Sequence, residues 1–178
     1  MDVKEVRTRF DELLSRFNGK TVMDFKVDYC PLLWAITYKA SELETIEQLE
    51  DLILGSLVGV HTFRGNDPCM PFYPDDYNIE ETLRWEVANG EDKPFSLSEF
   101  LTHRVGTCAT YAFVAAIALH STRDCGKVTI CVTNRTNLVK PSHAWLRMED
   151  GRIIDLLSRS QGQKPLTDLK PDREIDLK

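Results

Sequence analysis

The chain has 178 residues, with 22 Lys plus Arg against 28 Asp plus Glu, a net charge of −6. That length favours a single domain, and the acidic balance argues against a general nucleic-acid binder, whose footprint is a basic stripe. The longest apolar runs, at 52–60 and 111–119, fall well short of the roughly 18 residues that cross a bilayer, and the charged start Met1-Asp2-Val3-Lys4-Glu5 lacks the apolar core of a signal peptide. The resulting expectation is a soluble, cytoplasmic protein with no membrane partner.

The first half reads as helical. Asp2 is placed to cap a helix over Val3–Phe17, with Val3, Val6, Phe10, Leu13, Leu14 and Phe17 on one face. Asn18-Gly19 stops it. Residues 32–38 fit either a short strand or a helical turn, started by Pro31. Ser41 and Glu44 have capping-box spacing and predict a helix to about Val58. Residues 64–76, with Pro68, Pro71 and Pro74, read as a surface loop. Asn78 with Glu81 predicts a further helix ending at Gly90, and Ser96 with Glu99 a short one ending near His103.

The second half changes character. Residues 108–120 are apolar or small almost throughout, the pattern of a helix buried on all sides. Residues 127–133 alternate as a strand does, and 142–148 and 152–157 predict two more strands around the hairpin signal Asp150-Gly151. Residues 159–178 are polar, with two prolines, and read as a loosely held tail.

Five cysteines (Cys30, Cys69, Cys108, Cys125, Cys131) at irregular spacing imply no closed disulfide framework. The four histidines are scattered, His103 and His120 have no companion motif, and no zinc-ligand spacing arises. No metal or other cofactor is expected.

The start of the apolar helix holds the chemistry. Gly106 frees the backbone and Thr107 is a good N-cap. Cys108 then falls in the first turn, where unpaired amides and the helix dipole favour a thiolate and could hold an oxyanion. A thiol nucleophile needs a base, and the base an orienting group. His143 and Asp155 on the hairpin qualify under one condition. With a two-residue Asp150-Gly151 turn, Asp155 faces away from His143. With an odd loop, such as Glu149-Asp150-Gly151 bulged at Gly151, Trp145 opposes Asp155, and His143 and Asp155 share a face as diagonal neighbours.

In these residues the chain resembles the transglutaminase-like superfamily: Gly106-Thr107-Cys108 opening a small-residue helix, His143-Ala144-Trp145, and Gly151-Arg152-Ile153-Ile154-Asp155. The resemblance covers about 96–158. It implies an α+β, papain-like core in which the Cys-bearing helix packs on an antiparallel sheet; residues 1–95, the helical N-terminal half, match no familiar pattern, and 159–178 form the polar tail. It implies Cys108 as nucleophile, His143 as base and acid, and Asp155 as the group orienting His143. Trp145 matches the aromatic that often follows the family's His; Trp145 and Trp85 are the candidate substrate-binding residues. Trp85 and Trp34 are candidates for the side chain that often completes the family's oxyanion hole. The activity implied is a cysteine-dependent hydrolase or acyltransferase acting on amide bonds of a protein or peptide substrate, with water or an amine as acceptor. The alternative is a binding module that keeps the fold without turnover.

Overall fold

The computed structural model describes residues 1–23, 25–59, 95–102, 104–133, 143–165 and 170–177. The expected helix at 78–90, the proline-rich loop at 64–76, Cys69, Trp85 and His103 lie outside them. Among the described residues the chain is a mixed α and β protein with six helices, and none of these is long and apolar enough to cross a membrane.

Helix α1 (Val3–Phe17) begins where the sequence places it, with the Asp2 carboxylate accepting from Lys4 N, and it buries Val6, Phe10, Leu13 and Leu14. The ambiguous stretch that follows is a helix, α2 (Pro31–Ala40), with Pro31 in its first turn, where a missing N–H costs nothing. Ser41 is therefore the end of α2 rather than the start of the next helix. Helix α3 (Ile46–Ser56) opens instead on a capping box between Thr45 and Gln48. Helix α4 (Leu97–Thr102) has the expected reciprocal cap: Ser96 N donates to Glu99, and Glu99 N donates to Ser96 Oγ.

Helix α5 (Cys108–Thr122) is the axis of the core, and of its residues only Cys108 and His120 are not fully buried. Its lack of any polar face has a simple cause, since α1, α2 and a sheet cover it from different sides. Phe113 on α5 takes Phe17 and Phe25 edge-on, with ring centres 5.6 and 5.5 Å away.

That sheet contains β6 (Val128–Thr133), β7 (His143–Met148), β8 (Ile153–Ile154) and β9 (Arg173–Leu177), in the order β8-β7-β6-β9 and antiparallel throughout. The register sets Val128 against Met148 and Leu177, and Ile130 against Leu146 and Ile175. One face is thereby apolar and joins the core around α5. Smaller ladders complete the fold: β1 (Thr21–Val22) with β2 (Phe25–Lys26) and β4 (Phe95–Ser96), and β3 (Val58–Gly59) parallel to β5 (Val105–Gly106).

Two expectations at the C-terminal end are corrected. The strand at 152–157 is only two residues long, because Asp155 caps a short helix, α6 (Leu156–Ser160). The tail at 159–178 is not loosely held over its last part. Residues 173–177 pair with β6, and Leu177 is fully buried in the core. The charged residues of this stretch read as solvent-facing, and in so polar a context they outweigh the alternating Ile175 and Leu177 that face the core.

Candidate active site

Cys108 is the first residue of α5. Thr107 caps the helix, its Oγ1 accepting from Thr110 N at 3.2 Å and its carbonyl from Tyr111 N at 2.9 Å. Among the described residues no acceptor takes the amides of Cys108 and Ala109, the other two donors of the first turn. The glycine before the cap has a different purpose from the one the sequence suggests. Gly106 does not adopt a positive φ; a Cβ there would lie 2.7 Å from the Tyr111 ring. Tyr111 is buried one turn below Cys108 and donates its hydroxyl to the Leu57 carbonyl at 2.9 Å. Burial pushes the phenol pKa up, so this donor stays protonated. The aromatic ring thus packs where β5 feeds the helix and ties that corner to the end of α3.

The hairpin has the odd loop. Leu146 pairs with Ile154 and Arg147 with Ile153, which sets Trp145 opposite Asp155. Met148 N donates to Arg152 O at 2.9 Å, Gly151 N to Met148 O at 3.0 Å, and Gly151 takes φ +85°. This is a three-residue loop closed by a left-handed glycine. His143 and Asp155 consequently meet: Nε2 of His143 lies 2.8 Å from Oδ2 of Asp155. The two residues are 6 % and 4 % exposed, so little water competes for this bond.

Asp155 has further support. Its Oδ1 accepts from Ser158 N at 3.1 Å and its Oδ2 from Ser158 Oγ at 2.7 Å. Burial alone would raise the carboxyl pKa; the His143 hydrogen bond and charge, then the Ser158 bonds, lower it instead. Burial alone would likewise lower the His143 pKa. Hydrogen bonds to Asp155 and Cys108, with the charges of both, raise it to about 9. With Nε2 committed to Asp155, Nδ1 is the ring nitrogen left to serve Cys108. The structure therefore brings Cys108, His143 and Asp155 together.

The predicted aromatic residues fare differently. Trp145 stacks on the His143 ring, with centres 5.9 Å apart and planes 18° from parallel. It is 3 % exposed, so the surface expected to meet substrate is used to hold the imidazole. Trp34 lies in the seam between α1 and α2, 5.2 Å from the Phe10 ring centre and beneath the Arg7 guanidinium. Ser158 is a site residue that sequence reasoning misses, although Asp155-x-x-Ser158 has the spacing of a helix cap. Burial raises the thiol pKa at Cys125 and Cys131, the opposite of what a nucleophile needs. Among the described residues no group of His, Cys, Asp and Glu could hold a metal ion. No family model, curated protein or solved structure matches this chain.

Proposed function

We propose that this chain is a cysteine-dependent hydrolase or acyltransferase, built on a papain-like, transglutaminase-like core and acting on amide bonds of peptide-like substrates. One observation carries the reading: His143 hydrogen-bonds Asp155 and lies close enough to Cys108 for that thiol to favour its protonated form, and Cys108 stands at a helix start. In the reaction, the Cys108 thiolate attacks the amide carbonyl and the carbonyl pair moves to oxygen. The Cys108 and Ala109 amides receive that oxyanion. His143, protonated, gives its Nδ1 proton to the leaving amine as the C–N bond breaks. A thioester remains. Neutral His143 then takes a proton from water or from an acceptor amine, which attacks the thioester and releases Cys108. Asp155 keeps Nε2 protonated and the ring oriented throughout.

Alkylation by iodoacetamide at neutral pH, with the modified residue read by peptide mass, tests the nucleophile without a known substrate. Cys108 is expected to react about tenfold or more faster than Cys30, Cys125 and Cys131. His143→Ala should remove most of that advantage, which exposure alone would not explain. Equal rates at Cys108 in both proteins would end the assignment and leave the binding-module reading.

A further inference from the structure

The Asp155 carboxylate is held at both oxygens by one residue, and that residue is Ser158. An ordinary helix cap needs one of these two contacts: the cap side chain accepts from the backbone amide three residues on. Ser158 N donating to Oδ1 is that contact. The second, from Ser158 Oγ, goes to Oδ2, the oxygen that also meets His143 Nε2. Capping does not require it. Its geometric effect is to stop the carboxylate rotating about its last bond.

Ser158 is itself well placed to act as a fixed point. It is 3 % exposed, and its carbonyl accepts from Gln163 N at 2.8 Å. A five-residue helix is marginal alone, but the next residue ties α6 to α3. Arg159 pairs with Asp51 at 2.6 Å and with Glu50. We propose that Ser158 is a positioning residue of this site: its hydroxyl and amide clamp the Asp155 carboxylate and so aim Oδ2 at His143. This rests on the proposed roles of Cys108, His143 and Asp155.

Among the described residues, few charged or titratable groups surround the pair. Cys108 from α5 and Asp155 face the imidazole. From α3, Glu50 and Asp51 are engaged by Arg159, and Tyr111 of α5 is a neutral phenol. The His143 titration therefore reports how well Asp155 is held. It can be followed in the full chain by NMR of the imidazole carbon, assigned with His143→Gln. In the wild type the midpoint is expected at about 9. Asp155→Asn should lower it by ~1 unit, through loss of an adjacent charge. Ser158→Ala removes a hydroxyl and no charge. It should lower the midpoint by roughly half as much, as the carboxylate swings away. Ser158→Thr keeps the donor and should restore the wild-type value. A midpoint unchanged or raised in Ser158→Ala would overturn the proposal, since a donor that only competes for the carboxylate leaves His143 no less basic. An equal drop in the Ala and Thr variants would also overturn it, assigning the effect to packing. Failure of Cys108 to show enhanced alkylation would instead strike the proposed reaction, and the His143 titration would still decide the role of Ser158.

Discussion

His143 is pulled in two directions, and the outcome sets the pH behaviour of the site. Burial alone favours the neutral ring, while hydrogen bonds and charges from Asp155 and Cys108 favour the imidazolium. The second set wins, because a charge-assisted bond to a desolvated carboxylate is among the stronger polar contacts a protein makes. The proposed reaction starts from the protonated ring, so activity should fall as pH rises through about 9. Asp155→Asn keeps the shape of the side chain and removes the charge. Its alkaline limb should move down by ~1 unit, and turnover should also fall because the ring tautomer is no longer fixed. A rate profile across neutral to alkaline pH checks both effects. An unmoved limb with full turnover would reduce Asp155 to the cap of α6.

At the scale of elements, the hairpin loop decides whether the site exists at all. A loop shorter by one residue would carry the Asp155 side chain to the opposite sheet face. The odd count is secured by Gly151, which takes a left-handed conformation in open space, with no atom within 4 Å of the place a Cβ would occupy. Gly151→Ala therefore meets no clash and costs only backbone strain, about 1–2 kcal/mol. Urea unfolding should show that loss. Gly151→Asn should recover part of it, since Asn tolerates this region better than Ala. An Ala variant as stable as wild type would show that the loop can close another way.

Across the whole molecule, β9 joins the C-terminal residues to the sheet that carries His143. Beyond the backbone ladder to β6 and the Thr129–Asp176 hydrogen bond, ion pairs and a buried leucine hold it. Arg147–Glu174 and Lys127–Asp176 are both 2.8 Å pairs with side chains about two-fifths exposed. Such pairs contribute roughly 0–1 kcal/mol each. Leu177, fully buried against Val128, outweighs them, and its truncation should cost about 2–5 kcal/mol. Leu177→Ala should thus lower the urea midpoint clearly, and Glu174→Gln hardly. The reverse order would mean that the ion pairs, not the core contact, seat the strand.

Sequence alone was enough for the parts whose cause is local. Asp2 and the spacing of Val6, Phe10, Leu13 and Leu14 specify α1, and Ser96 with Glu99 specify the start of α4, because capping and amphipathic periodicity act within one or two turns. The run of apolar and small residues at 108–119, broken only by Thr110, declared a buried helix, and Thr107 its beginning. Other features needed the folded chain. Thr45 displaced Ser41 as the cap of α3 once α2 claimed the residues up to Ala40. The two-residue and three-residue hairpin loops were both compatible with Asp150-Gly151, and only strand pairing across β7 and β8 selected one. Gly106 reads as a flexible joint until the Tyr111 ring is seen lying against it. Charge and polarity made 159–178 look solvated, yet β6 offered an unpaired edge, and two apolar residues at alternate positions were enough to dock there. The meeting of Cys108, His143 and Asp155 spans three elements, so the sequence could nominate these residues while tertiary packing alone joined His143 to Asp155 and set Cys108 beside them.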